Sequence, residues 1–244
     1  QERPVYLDLT KIRLPMSAFS SITHRLSGMY IFFVTLPLIL YVIDQSLSSR
    51  SSFDKLADDI VSISFFSFFL FISVSIFWYH ILTGVRHLIM DFFHIGESLN
   101  GHITLQYLPL LFGADINSFL WVSFYMKGSL IWNTQRYSSI FILCYLIYIV
   151  SFFISENNIN FFTWSNFFLS FETRFITSIA FILILVHSFI GLWTVGTDYL
   201  TKRTLGFLNK PLARYANIFR NMYSFAFSLL GVVYLLTILY IIWL

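Results

Sequence analysis

From residue 26 onward this chain is a succession of long apolar runs separated by short polar stretches. Five runs, at about 26–46, 60–86, 137–155, 174–197 and 220–243, are long enough to cross roughly 30 Å of hydrocarbon as helices. The apolar residues come in unbroken runs rather than in the weak alternation of a membrane barrel. Pro37 lies inside the first run, where a kink is tolerable in a packed membrane bundle. A sixth segment, 103–126, is interrupted by Gln106, Pro109, Gly113, Asp115 and Asn117, and is expected to be a surface or re-entrant linker. The pattern therefore predicts an all-α integral membrane protein, a bundle of five transmembrane helices arranged as two plus three.

Composition supports the class. The chain of 244 residues is 57% hydrophobic and 11% charged, with 30 Phe, 14 Tyr and 6 Trp, more apolar surface than a soluble domain needs. The first run is too long for a cleavable signal peptide and lacks a small-residue cleavage site. Cys144 stands alone, which excludes a disulfide framework and a thiolate metal site and says nothing about redox compartment.

Charge distribution then sets the topology. With five spans, one side carries Arg3, Lys11, Arg13, Arg25, Arg86, Lys127, Arg136, Lys202, Arg203, Lys210, Arg214 and Arg220. The other carries only Arg50, Lys55 and Arg174. That bias places the amino terminus in the cytoplasm and the carboxyl terminus outside. A crossing by 103–126 would invert everything after it and export five of those cations.

Two stretches repeat one another. Residues 80–91 read HILTGVRHLIMD and residues 187–198 read HSFIGLWTVGTD, each with histidine, a glycine four positions on and an aspartate eleven positions on. Upstream of each, an arginine is followed two positions later by serine: Arg25 and Ser27, then Arg136 and Ser138. Such a repeat is an architectural signal. It puts His80 and His187 on two helices crossing in the same direction, each about 16 Å along the axis from an interfacial aspartate.

An ionisable group at that depth usually faces the bundle interior or a cofactor. Neutral imidazole is a strong axial ligand for haem iron, so two at matching depth suit a haem held between them. Gly84 and Gly191, one turn along the same faces, would leave room for a flat ring. Arg25, His24 and Arg136 begin helices on the cytoplasmic side and would meet the propionates. The alternative is that each histidine only hydrogen-bonds a neighbouring helix and each arginine only anchors topology. His94 and His102 fall in the polar connection and read as solvated interfacial residues.

At these residues the chain resembles a known family. RPVYLDLTKIRLPMSAFSSITHRLSG (3–28) and YHILTGVRHLIMD (79–91) resemble the cytochrome b subunit of bacterial succinate dehydrogenase. WNTQRYSSI (132–140) and LVHSFIGLWTVGTDY (185–199) resemble its hydrophobic membrane anchor subunit. The resemblance implies a haem b ligated by His80 and His187, and a quinone site built from Ser21, Arg25, Tyr199 and Asp198. It implies electron delivery from an iron–sulfur subunit and a flavoprotein subunit to ubiquinone, in a multi-pass protein of the bacterial cytoplasmic membrane. FAD and iron–sulfur clusters would reside in those partners, since no GxGxxG fingerprint or cysteine cluster occurs here. Membrane lipid is a further expected partner, nucleic acid is not, and a higher oligomer is compatible with the pattern.

The departure from the family is the third span expected after residue 100. Two three-span subunits cannot be joined directly, because the first would end outside and the second must begin inside. Losing one span repairs the parity. The expectation is thus a fusion: 1–101 from the first subunit with two spans, a linker at 102–128, and 129–244 from the second with three. Two chains joined near 100–128 are the alternative to a genuine fusion. A quinol:fumarate reductase anchor and a haem-free structural anchor are the functional alternatives.

Overall fold

The computed structural model describes residues 16–93, 128–208 and 210–244, and all the regular structure in them is helical. Helices α1 (Met16–Tyr30) and α2 (Leu36–Ser48) form the first span, joined by a π turn at Ile31–Thr35. A short α3 (Arg50–Val61) leads to α4 (Phe65–Phe93), the second span. After the gap come α5 (Gly128–Ser155), a short α6 (Phe161–Phe168) and α7 (Phe171–Tyr199). Two small helices, α8 (Lys202–Leu208) and α9 (Lys210–Arg214), precede α10 (Ala216–Trp243). Among the described residues, five helices are long and apolar enough to cross a membrane, at 18–48, 65–92, 128–155, 171–199 and 216–243. They fall on the five runs expected. The segment 103–126, expected to be a linker, lies outside the described residues, as do His94 and His102.

The boundaries differ in an informative way. Residues 60 and 61 belong to α3, whose mixed face carries Asp54, Asp58 and Asp59, and α4 starts only at Phe65. At the other end of the bundle the helices run past the apolar runs: α1 includes Arg25, α4 includes Arg86 and Asp91, and α5 includes Arg136. Hydropathy falls at a charge, but a helix continues wherever that charge finds a partner across the bundle.

Local chemistry sets the other ends. Pro37 has no N–H to donate, and the chain widens into the π turn just before it, with the Leu36 N–H reaching back to the Ile31 carbonyl. Ser49 caps α3 by accepting from the Ser52 N–H at 3.1 Å. Asn160 and Thr163 form a reciprocal capping box that starts α6. Ser170 caps α7 through the Thr173 N–H.

The packed core lies between the first span, α6, α7 and α10, where Phe32, Phe168, Ile238 and Ile242 are fully buried or nearly so. Outward faces of α4 and α5 carry exposed Phe65, Phe68, Phe71, Phe141 and Ile147, the surface expected of lipid contact. Hydroxyl pairs zip neighbouring spans: Tyr30 with Ser73 between α1 and α4, and Tyr148 with Thr173 and Tyr145 with Thr177 between α5 and α7. At one end of the bundle the Trp164 indole N–H donates to the Ser46 Oγ at 3.0 Å in a buried contact. At the opposite end, ion pairs join Asp91, near the close of α4, to Arg136 of α5, and Asp198, near the close of α7, to Arg25 of α1. The two histidine-bearing helices, α4 and α7, thus run parallel, as the repeat requires.

A buried bond of the Trp164 kind is worth about 1 kcal/mol net. Ser46→Ala removes the acceptor oxygen and leaves the aromatic packing of Trp164 in place. It is expected to lower stability by about that amount in thermal unfolding of the detergent-solubilised protein, and an unchanged transition would contradict the assignment.

Candidate functional site

Each histidine of the repeat is held by the first helix of its own half, in the same way. The His80 ring places Nδ1 2.9 Å from the Ser27 Oγ and 3.2 Å from the His24 carbonyl oxygen. The Ser27 hydroxyl itself donates to the His24 carbonyl at 2.7 Å, so its oxygen accepts and His80 Nδ1 carries the proton. In the second half His187 Nδ1 donates to the Gln135 carbonyl at 3.2 Å, and Ser138 donates to the same carbonyl at 3.0 Å. A carbonyl can only accept, which fixes both tautomers. The serines two positions after each arginine thus have a local role. They share the carbonyl that orients the imidazole.

This leaves Nε2 of each ring with no hydrogen-bond partner among the described residues. A neutral imidazole with a bound Nδ1–H and a free Nε2 is the form that ligates a metal, with the bonded side setting ring orientation. Both rings are only partly covered. The donor set therefore fits a haem iron with two axial imidazoles.

Gly84 and Gly191, expected to leave room for a flat ring, each have a side chain of the neighbouring helix beside them. A Cβ on Gly84 would lie 3.4 Å from His24 Cε1, and one on Gly191 would lie 3.6 Å from the Gln135 side-chain nitrogen. The spaces they leave are used by those side chains. The closest approach to a haem-ligand candidate is made by Gly28, where a Cβ would meet His80 Cε1 at 3.1 Å. Gly28 stands in the S-x-x-H-R-x-S-G stretch, but composition and spacing gave no reason to single it out.

His24 stacks face to face on His80, with ring centroids 4.0 Å apart and planes inclined by 9°. Its Nδ1 bonds the Thr83 Oγ at 2.8 Å, and that hydroxyl donates to the Tyr79 carbonyl, so His24 Nδ1 also carries a proton. His87 meets the other side of His24 edge-on at 5.2 Å. Sequence reasoning gave no part to Thr83 or His87; both lie on the α4 face that meets α1, one helical turn or two from His80.

The two arginines reach across the halves. Arg25 of the first half donates to Asp198 of the second at 2.5 Å. Arg136 of the second half binds Asp91 of the first, with Nε 2.9 Å and a terminal nitrogen 2.7 Å from the same carboxylate oxygen. Each arginine thus takes the aspartate of the other repeat. Arg136 also lies 4.3 Å over the Trp132 ring.

Around the first of these pairs the quinone-site candidates assemble. Tyr199 follows Asp198, and its ring centroid is 5.9 Å from the Arg25 guanidinium carbon. Ser21 lies one turn before Arg25 on α1, partly exposed, with no hydrogen bond to another described residue. The result is a phenol, a guanidinium and a carboxylate together at one end of the bundle, with Ser21 one turn away on α1.

Comparison with known proteins bears on this geometry. The family described as succinate dehydrogenase/fumarate reductase transmembrane subunit matches residues 1–114. A curated relative, the succinate dehydrogenase cytochrome b556 subunit of Coxiella burnetii, is 37% identical over 90 residues, which is 37% of this chain and 71% of the relative. No solved structure matches the chain.

Replacing Gly28 with valine forces branched methyls against His80 and is expected to destabilise the protein by about 1–3 kcal/mol, as overpacking does. Gly191→Ala meets only ordinary contact with Gln135 and should be near neutral. Unfolding of the two variants side by side checks the contrast; equal effects would contradict the packing described.

Proposed function

The chain belongs to the succinate dehydrogenase/fumarate reductase transmembrane subunit family, and we propose that it is the membrane anchor of a succinate:ubiquinone oxidoreductase that carries one haem b between His80 and His187. It works as a non-autonomous component of an oxidoreductase complex. A flavoprotein with FAD and an iron–sulfur subunit oxidise succinate, and the basic cytoplasmic face of this chain receives the iron–sulfur partner. The amino terminus is cytoplasmic, the carboxyl terminus is outside, and the membrane is a bacterial cytoplasmic one.

The observation that carries the reading is the matched pair of imidazoles, each with Nδ1 bound to the carbonyl one residue before an arginine and each with Nε2 free. His80 and His187 hold the iron; His24, Arg25 and Arg136 line the side from which propionates would approach. Haem b bound there supplies a one-electron carrier within the membrane.

The quinone chemistry falls to the chain's own groups. Conversion of ubiquinone to ubiquinol takes up two electrons and two protons, one on each carbonyl oxygen. Ser21 and Tyr199 donate hydrogen bonds to a quinone carbonyl, which stabilises negative charge developing on that oxygen. The Arg25–Asp198 pair holds the local charge and sits at the cytoplasmic edge, where protons from water reach it.

The chain is also proposed to join two subunits. Residues 1–101 take the part of the cytochrome b subunit and 129–244 that of the companion anchor subunit, and the crossed ion pairs support their working as one bundle. Intact-mass analysis of the purified complex is expected to give one species spanning both halves; two separate species would contradict the fusion.

A second reading has an observation of its own. The Nδ1 bonds and the filling of the glycine spaces by His24 and Gln135 are also what histidines that only pack helices would show. Pyridine haemochrome quantitation separates the two. The proposal expects about one haem per chain in the assembled complex, lost or spectrally altered in both His80→Ala and His187→Ala. A well-assembled wild type without haem would make the chain a structural quinone-site anchor.

A further inference from the structure

Asp91 has no part in ligation or in the quinone site, yet its position ties the two halves of the proposed haem site together. It stands on α4, three helical turns beyond His80. The packing of α4 is chiefly with first-half elements, namely α1, the π turn and α3, whereas α5 packs on α7. The helix that carries His80 is therefore weakly held against the half that carries His187.

Asp91 supplies a link at this point. Two nitrogens of the Arg136 guanidinium converge on one oxygen of its carboxylate at 2.7 and 2.9 Å. The pair is more shielded than its counterpart, with side chains 22% and 28% exposed against 37% and 49% for Arg25 and Asp198. Shielding makes the attraction stronger and less sensitive to salt than at an open surface. Arg136 is further fixed by the Trp132 ring and by Gln135 Oε1 at 3.4 Å. The Gln135 carbonyl, one peptide away, is the acceptor that orients His187. A continuous set of contacts thus runs from the helix of His80, through Asp91 and Arg136, to the atom that orients His187.

We propose that Asp91 is a positioning residue of the haem site: by holding Arg136 it sets how the helix of His80 and the imidazole of His187 face one another. It touches neither the haem nor the quinone. The proposal rests on the haem reading above.

The test uses the purified complex, with wild type, Asp91→Asn and Asp91→Glu. Haem per assembled complex and the haem midpoint potential are the readouts. Loss of a residue that orients a metal ligand weakens metal retention on the order of 10-fold or more. Asp91→Asn is expected to lower haem retention on that scale and to shift the potential, and Asp91→Glu, which keeps the carboxylate, to stay near wild type. An Asp91→Asn complex that assembles and matches wild type in retention and potential would overturn this role while leaving the haem reading intact. So would a loss that Asp91→Glu shares in full. Wild type without haem would overturn both.

Discussion

A polar group inside a membrane has no water to fall back on, and that constraint organises the functional half of this bundle. His80, His187, Arg25, Arg136, Asp91 and Asp198 sit on spanning helices, and each must find its partner within the protein. The imidazoles find theirs on the backbone: His80 on the His24 carbonyl and His187 on the Gln135 carbonyl. Only one side of each ring is satisfied in this way. Among the described residues the two Nε2 atoms have no partner, and these are the positions the proposed haem would use.

The charges solve the same problem by crossing over. Arg25 and Arg136 each take the aspartate of the opposite repeat, so neither half is electrostatically complete without the other. This arrangement makes an internal repeat behave as one unit. It also places the crossed ion pairs at the end of the bundle that carries most of the cations, while the far end has the Trp164–Ser46 bond, aromatic packing and the exposed Arg50–Asp54 pair within one short helix. In the proposed complex, redox and proton chemistry would share this one end, facing the side from which partner subunits and protons come.

Much of this was legible in the sequence. The five spans follow from runs of apolar residues that no helix of a soluble domain would need. The parallel course of the histidine helices follows from the repeated spacing to Asp91 and Asp198. What could not be read was the pairing: an arginine at a helix start looks like a topology anchor, and nothing local says which of two aspartates it will meet. The short helices α3, α6, α8 and α9 also escaped notice, because elements of a few turns at the membrane edge mix polar and apolar residues without a decisive period. Gly84 and Gly191 suggested room for a flat ring from their spacing alone, and it takes the fold to reveal His24 and Gln135 beside them. The serines of the repeat were visible as a pattern, but their sharing of a carbonyl with an imidazole depends on how α1 meets α4 and α5 meets α7.

The central claim is that two imidazoles, one from each half, share one iron. Near-infrared magnetic circular dichroism of the oxidised complex reads the axial ligand pair directly. The account predicts low-spin iron with two neutral histidine ligands. High-spin iron, or a spectrum requiring any other second ligand, would contradict it.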